Sequence, residues 1–224
     1  GQVMGGERLP DAQLVAVERS EPALPGRSVP REMRDLRVVD LSSLWAGPLC
    51  TRALVAAGAH VVKVESSGRP DGARSGPPAF FELMNAGKEH VALDLASVGG
   101  QRQLHDLLCR ADVVVEGSRP RALRAMGLSF ADLHRDGWRG VWMSITAHGG
   151  DPMHEERVGF GDDAAVAGGL VAPGPEFVGD AVADPAAGLL AAVAVLEALA
   201  DGVFAHLGVS LANTAAHIAG GAFG

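Results

Sequence analysis

A strand-helix-strand unit early in the chain is the feature that most constrains the fold. Residues 37–41 are a short β-branched run, which is typical of a buried parallel strand. Residues 46–48, Ala-Gly-Pro, end that run, and residues 49–57 then predict a helix that Gly58 terminates. Residues 60–64 predict a second strand. Such a crossover places the loop after the first strand at the carboxyl edge of a parallel sheet, where α/β proteins bind ligands.

Strand-like and helix-like segments alternate along the chain from residue 36 onward. Further strands are predicted at 90–95, 112–116, 141–145 and 207–211, and further helices at 99–110, 121–126, 162–169 and 186–200. This alternation predicts an α/β fold with a Rossmann-like, mostly parallel sheet and helices on both faces.

The predicted elements divide the chain into three parts. Residues 1–35 are predicted to be an N-terminal arm or linker, in which only residues 13–17 have a strand-like pattern. Residues 36–212 form the Rossmann-like portion. Residues 213–224 are an Ala/Gly-rich tail, helical at best.

Composition excludes several classes of protein. A formal net charge of −8 argues against a general nucleic-acid binder, because such proteins need a basic face. Two cysteines without metal-ligand spacing favour a reducing, cytoplasmic location. The apolar run at residues 181–200 is interrupted by Asp184, Pro185 and Glu197, so we expect a buried helix and no membrane span.

The common cofactor and metal motifs do not occur in the expected places. The loop after the first strand, SSLWAG, contains neither a dinucleotide-binding nor a nucleoside triphosphate-binding glycine pattern. His148, Asp151 and His154 are near one another in sequence, but a Gly/Pro-rich loop gives them no fixed geometry, and surface histidines are the simpler interpretation. We therefore expect no metal and no permanently bound cofactor.

Five segments carry a more specific signal. They are LSSLWAGPLCTRAL, RPDGARSG, FFELMNAGKEHVALDL, ADVVVEGSRPRALRAMGL and GDAVADPAAGLLAAVAVLEAL. In this order they resemble the class III CoA-transferases, the superfamily of formyl-CoA transferase, carnitine CoA-transferase and α-methylacyl-CoA racemase. The resemblance covers residues 36–212, the first half of a typical member, and the family's second, smaller domain does not follow.

The resemblance implies a reaction and its participants. Coenzyme A or acyl-CoA would be the substrate and a carboxylic acid the acceptor. The protein would act as a homodimer or as an assembly with the missing half, without nucleic acid or membrane.

Asp184 is the catalytic residue that the resemblance implies. The aspartate of the ADPAAG segment would attack the acyl-CoA thioester and form a mixed anhydride. Because Asp184 precedes Pro185, we expect it to be extended at the start of a helix, whose positive end keeps it ionised. The alternative is that Asp184 is only the N-cap of that helix.

CoA binding requires cations for the phosphates and backbone amides at the carboxyl edge. The cations predicted at that edge are Arg69, Arg74, Lys88, Arg119, Arg121 and Arg124. The residues that the resemblance assigns to CoA binding are Leu44, Trp45, Ala46, Arg74, Asn85, Lys88, Arg119 and Arg124. The alternative for each cation is that it is only a solvated surface charge. The alternative for Trp45 is a position in the core or in an interface.

Two departures from the family pattern restrict the reactions that this chain could catalyse. Trp45 stands where formyl-CoA transferase has a glutamine, which disfavours formate-like substrates. Phe160 stands where the racemases have a histidine base, so a racemase or isomerase would need another base. Asp162 and Asp163 follow and either serve that role, bind an acceptor or cap a helix. A non-catalytic CoA-binding subunit or fragment is the remaining alternative.

Overall fold

The computed structural model describes residues 14–22, 32–117, 120–149, 157–174 and 176–222. Its strands are β1 Val15–Pro22, β2 Arg37–Asp40, β3 His60–Ser66, β4 Glu89–Leu93, β5 Val113–Glu116, β6 Val141–Thr146, β7 Val171–Ala172, β8 Glu176–Phe177 and β9 Val203–Ser210. Its α-helices are α1 Ala46–Ala56, α2 Pro78–Asn85, α3 Val98–Arg110, α4 Pro120–Ala125, α5 Phe130–Arg135, α6 Gly161–Ala167, α7 Ala183–Ala200 and α8 Leu211–Ala222.

Seven of these strands form one sheet, in the order β1-β9-β6-β5-β2-β3-β4. Every neighbouring pair is parallel except β1 with β9, which is antiparallel. When the parallel strands alone are counted along the chain, the order is 3-2-1-4-5-6, which is that of doubly wound dinucleotide-binding folds. The predicted α/β class with a mostly parallel sheet is confirmed. The order reverses between β2 and β5, and the loops after these two strands border the crevice that such folds use for ligands.

Alternating side chains of the central strands build a core on each face of the sheet. Val113 and Val115 of β5 pack on one face, in a cluster with residues of α1 and α7. Val114 points to the other face and packs with Leu104 and Leu108 of α3. This period of two explains why both faces carry helices.

Several helices and strands begin or end at other residues than predicted. The strand expected at 13–17 extends over β1 and joins the main sheet beside β9. Helix α1 begins at Ala46 instead of residue 49, and α7 begins at Ala183 instead of residue 186. Helix α5 and the β7–β8 hairpin were not predicted. The division into arm, large portion and tail stays a prediction, although most of the tail lies in α8.

Helix α7 is the one helix of the described residues that is long and apolar enough, by length and composition, to cross a membrane. Its sequence is rich in alanine, and eight of its residues are buried against the sheet and neighbouring helices. It packs closely on α1, where the Gly188 backbone lies against Ala46. These contacts are those of a core helix.

A side chain at position 188 should separate α7 from α1. A Cβ atom there would collide with the Ala46 carbonyl oxygen. We expect Gly188→Ala to lower the free energy of unfolding by about 1–3 kcal/mol, the usual cost of overpacking, even though alanine favours a helix. Urea unfolding measures this.

Gly220→Ala in α8 is the matched control, because open space surrounds that position. It makes the same change of helix propensity without a collision. Equal effects of the two substitutions would contradict the close packing of α7 on α1.

Candidate active site

The turn between β2 and α1, residues 41–45, lies at the point where the strand order reverses. Asp40, at the end of β2, is fully buried and accepts hydrogen bonds from the Ser42 N–H (2.9 Å) and from the Ser42 hydroxyl. The Thr51 hydroxyl of α1 donates to the other carboxylate oxygen at 2.6 Å. Asp40 thereby connects the strand, the turn and the helix.

Lys88 forms a buried ion pair with Asp40. Its ammonium lies 3.0 Å from Asp40 Oδ2 and also donates to the Pro48 carbonyl (3.0 Å) and to Asn85 Oδ1 (2.9 Å). The side chains of Lys88 and Asp40 are both fully buried. The Lys88 ammonium therefore has its three donors occupied inside the protein, which differs from the expectation that Lys88 and Asn85 contact CoA.

A second buried ion pair holds the other side of the turn. Lys63 and Asp71 are both inaccessible to solvent and are 2.9 Å apart. Lys63 donates to the Ser42 carbonyl at 2.8 Å, and Asp71 Oδ1 accepts the Leu44 N–H at 2.9 Å. Leu44 has φ +69°, a left-handed conformation that costs a non-glycine residue energy and is held here by these contacts.

The Asp184 carboxylate faces the beginning of two other helices. The backbone of Ala46 and of Gly161, the first residues of α1 and α6, lies close enough to this carboxylate to lower its pKa. A Cβ atom at position 161 would collide with Asp184 Oδ2, so only glycine lets this backbone approach the carboxylate. Asp184 therefore lies near the start of α1, the helix that follows the turn supported by Asp40 and Asp71.

Asp184 lies at a different position in its helix than expected, and its pKa is raised instead of lowered. Helix α7 begins at Ala183 with Val182 as N-cap, so Asp184 lies in the first helical turn and is not the N-cap. Burial raises the pKa of Asp184 to about 6. The neighbouring backbone lowers this pKa, and the charges of Asp162 and Asp163 raise it further. Burial thus outweighs the positive helix end, although the group is still mostly ionised at pH 7.

Asp162 and Asp163 have local partners at the start of α6. Asp163 accepts the N–H of Phe160, the N-cap residue of α6, and Asp162 accepts the Ala181 N–H at 2.7 Å. Ala181 has φ +47°, the second left-handed non-glycine residue near Asp184. The capping interpretation is confirmed for Asp163, while Asp162 fixes the segment that leads into α7. Phe160 is 60% exposed.

Arg74 is engaged with a neighbouring carboxylate. Its guanidinium forms a two-pronged ion pair with Glu65, with the shortest distance 2.6 Å, and lies 4.0 Å above the Phe81 ring. Hydrogen bonding to Arg74 lowers the pKa of Glu65 to about 2. The Arg74 side chain is still 43% exposed, so its outer edge remains accessible to an anion.

The remaining predicted residues lie at different distances from the centre of the site. Trp45 is half-buried and packs edge-to-face on Phe80 with ring centroids 5.2 Å apart. Arg124 is exposed on α4, and Arg119 lies outside the described residues. The structure therefore places Ala46 near Asp184, with Leu44 and Trp45 in the turn before it, whereas Arg74 and Arg124 lie on the surface.

Sequence inspection missed several supporting residues. Lys63 stands within an apolar strand sequence, VVKVE, and a lysine there is a signal for a buried ion pair. Gly161 precedes two acidic residues and gives no comparable signal. A small cavity lined by residues including Phe130, His134 and Phe204 contains none of the predicted site residues.

Comparisons with known proteins identify the family of this chain. The model of CoA-transferase family III matches residues 33–224. The chain belongs to this family. It is 29% identical over 183 residues to succinyl-CoA–D-citramalate CoA-transferase of Chloroflexus aurantiacus and 32% identical over 182 residues to succinyl-CoA:glutarate CoA-transferase of Mus musculus.

The alignments cover most of this chain but only part of each relative. They include 76% and 75% of the chain, but 46% and 42% of the two enzymes. The crystal structure of Rv3272 from Mycobacterium tuberculosis superposes with a TM-score of 0.78 at 31% identity, covering 90% of this chain and 58% of that one. This chain thus spans about half the length of the curated relatives of the CoA-transferase family that it matches.

The raised pKa of Asp184 predicts a pH-dependent cost in stability. Below about pH 4 both the folded and the unfolded chain hold the proton and there is no cost. The unfolded chain loses its proton first as the pH rises, so the cost grows up to about pH 6 and is complete above it. We expect Asp184→Asn to gain about 1–3 kcal/mol of unfolding free energy relative to the wild type between pH 4 and pH 8.

Urea unfolding at a series of pH values measures this gain. Asp180→Asn, on the exposed segment before α7, is the control and should show no such trend. A constant difference between wild type and Asp184→Asn from pH 4 to pH 8 would contradict the buried, proton-retaining carboxylate.

Proposed function

We propose that this chain contributes the nucleophile for transfer of CoA between carboxylic acids, and that the nucleophile is Asp184. The observation that carries the proposal is the setting of the carboxylate. Asp184 is half-buried, mostly ionised at neutral pH, and in close contact with the backbone of Gly161. A carboxylate that has lost part of its hydration is a stronger nucleophile than one in water.

The reaction proceeds in steps that conserve the activated acyl group. An Asp184 oxygen attacks the thioester carbonyl carbon, the C–S bond breaks, and CoA leaves as the thiolate. The product is a mixed anhydride between Asp184 and the acyl group. An acceptor carboxylate then attacks the Asp184 carbonyl carbon and releases the first acid, which leaves the acceptor as the new anhydride partner. The thiolate attacks the acceptor's carbonyl carbon, forms the new thioester and regenerates Asp184.

Close packing orients the carboxylate for the first step. The Gly161 backbone lies directly against Asp184 Oδ2 and limits rotation of the carboxylate, which lowers the entropic cost of attack. The glycine at position 161 is required for that approach. The nearby Asp162 and Asp163 repel a second negative charge and thereby favour conversion of Asp184 to an uncharged anhydride.

We propose that CoA approaches the turn that precedes α1. Leu44, Trp45 and Ala46 would contact the acyl and pantetheine portion, while Arg74, Arg119 and Arg124 would bind the phosphates. Lys88 and Asn85 support the turn from the interior, since their polar groups bond Asp40, Pro48 and Phe81. We assign them no direct contact with CoA.

Succinyl-CoA is our first choice of donor and a dicarboxylic acid our first choice of acceptor. The proposal follows the names of two relatives, which act on succinyl-CoA with D-citramalate or glutarate. A homodimer, or an assembly with another chain, and a cytoplasmic location complete the proposal.

Acyl transfer to Asp184 can be tested on the chain directly. The protein is incubated with radiolabelled succinyl-CoA, free CoA thiol is measured, and the intact protein is analysed by mass spectrometry. We expect thiol release together with a succinyl adduct that hydroxylamine removes, since hydroxylamine cleaves an acyl anhydride. Asp184→Asn should abolish both signals.

Asp180→Asn is the control, because the substitution removes an exposed carboxylate four residues away. CoA release that persists unchanged in Asp184→Asn would overturn the assignment. Exchange of the α-proton without acyl transfer would indicate a racemase or isomerase, and CoA binding without either reaction would indicate a binding subunit.

A further inference from the structure

The segment that leads into α7 makes a left-handed turn three residues before Asp184. Ala181 has φ +47°, a conformation that a residue with a Cβ atom keeps only when surrounding contacts hold it. The residues just before it, Val178, Gly179 and Asp180, are exposed. Burial of the segment itself therefore does not hold the turn, and a neighbouring element must support it.

Asp162 of α6 provides this support. Its Oδ1 accepts the Ala181 N–H at 2.7 Å. On the other side of the same residue, the Ala181 carbonyl accepts the Asp184 N–H at 2.9 Å. A chain of hydrogen bonds thus runs from the side chain of Asp162 through the strained residue to the backbone of Asp184.

The residue next to Asp162 packs against both ends of this chain. A Cβ atom added at Gly161 would lie 2.7 Å from the Ala181 Cβ atom and would collide with Asp184 Oδ2. Gly161 is buried, so the start of α6, the turn and the carboxylate meet without spare space. A rotation of the Ala181 backbone would therefore move the Ala181 methyl group and the Asp184 carboxylate away from Gly161.

Asp162 acts on Asp184 in two ways that substitutions can separate. Its negative charge raises the pKa of Asp184, and this effect requires only proximity. Its hydrogen bond with Ala181 requires an oxygen acceptor, which the uncharged side chain of asparagine also provides. Asparagine at position 162 therefore removes the charge and keeps the acceptor, whereas alanine removes both.

We propose that Asp162 is a positioning residue: by accepting the Ala181 N–H it holds the left-handed turn and keeps the Asp184 carboxylate against Gly161. The consequence for acyl transfer rests on the proposed function. The packing itself does not, and it can be measured without turnover.

Nuclear Overhauser contacts in the full chain test the packing directly. The Gly161 α protons and the Ala181 methyl group are close enough to give a strong contact in the wild type. Asp162→Asn should keep this contact, and Asp162→Ala should weaken it severalfold or abolish it. Because neither group of protons is charged, loss of the Asp162 charge does not by itself remove the signal.

Titration of the Asp184 carboxylate, followed by nuclear magnetic resonance, separates position from charge. In the wild type the midpoint should lie near pH 6. Asp162→Asn should lower it through the lost charge alone. Asp162→Ala should lower it further, toward the ordinary aspartate value of about 4, because burial is the largest cause of the raised pKa and a displaced carboxylate regains water.

Glycine at position 181 gives a test by rescue. Glycine adopts a positive φ without strain, so Ala181→Gly should make the turn less dependent on Asp162. When Ala181→Gly is added to Asp162→Ala, the Asp184 midpoint should return toward that of Asp162→Asn. A double variant with the midpoint of Asp162→Ala would overturn the proposal, because strain at position 181 would then not be what Asp162 offsets.

The acyl-transfer assay measures the consequence for the reaction. Thiol release from succinyl-CoA should fall by up to about 100-fold in Asp162→Ala, as expected for a misplaced nucleophile, and by much less in Asp162→Asn. If the wild type releases no thiol, the proposed function fails, and the contact between Gly161 and Ala181 still decides the role of Asp162.

Asp180→Asn is the matched control, because it removes an exposed carboxylate next to Ala181 and leaves Asp162 in place. It should keep the contact between Gly161 and Ala181. A contact of full strength in Asp162→Ala would overturn the proposal, because the turn would then not need Asp162. Equal loss in Asp162→Asn and Asp162→Ala would also overturn it, because the charge and not the acceptor would be responsible.

Amide hydrogen exchange of the wild type decides the matter if neither Asp162 variant folds. The Ala181 amide should exchange more slowly than the amides of the exposed Gly179 and Asp180. Exchange at Ala181 as fast as at Asp180 would overturn the proposal, because the turn would then be free of Asp162.

Discussion

Two buried lysine–aspartate pairs hold the turn on which the site depends. Removing two charges from water is costly, and the cost is recovered only when both partners are also hydrogen-bonded. Lys88 meets this condition through Asp40, Pro48 and Asn85, and Lys63 meets it through Asp71 and Ser42. The pairs stand on opposite sides of one short turn, so the backbone between them has little freedom. The strained residue of the turn and the first residue of the helix that follows it are therefore both held in place.

The carboxylate of Asp184 shows which electrostatic effect dominates in this site. A positive helix end stabilises an anion by about 0.3–1 kcal/mol at exposed positions and by up to about 2 kcal/mol in favourable ones. The change in pKa from 3.8 to about 6 corresponds to about 3 kcal/mol in the opposite direction. Burial and two acidic neighbours therefore outweigh the helix ends. The result is a group that is ionised at neutral pH but less stable as an anion than an ordinary aspartate.

The hydrophobic pattern of the sequence predicted most of the scaffold, because fully buried parallel strands are continuous apolar runs. Strands β2, β5 and β6 were located to within a residue at each end. The start of α7 was misplaced because Pro185 was expected in its first position, whereas Pro185 occupies the third. The predicted role of Lys88 shows what a sequence pattern cannot reveal. A lysine's position in a sequence does not reveal whether its ammonium faces solvent or a buried carboxylate, since that depends on a strand almost fifty residues away.

The sequence pointed to Asp184 and to the turn before α1, but not to the backbone and side-chain groups that surround them. Asp184 and Ala46 belong to motifs that can be recognised along the chain. Gly161 contributes through its backbone alone, and Asp71 contributes through a turn that it does not belong to. Contacts of this kind are determined by which chain segments meet in space, and a pattern of residue types does not contain that information.

The antiparallel edge of the sheet has a consequence for synthesis on the ribosome. Residues 15–22 pair with residues 203–210, so β1 leaves the ribosome well before its partner β9. Because translation adds only about 5–20 residues per second, β1 stays unpaired for several seconds. An unpaired strand is a template for pairing with another chain, so this edge is open to intermolecular pairing until β9 is made.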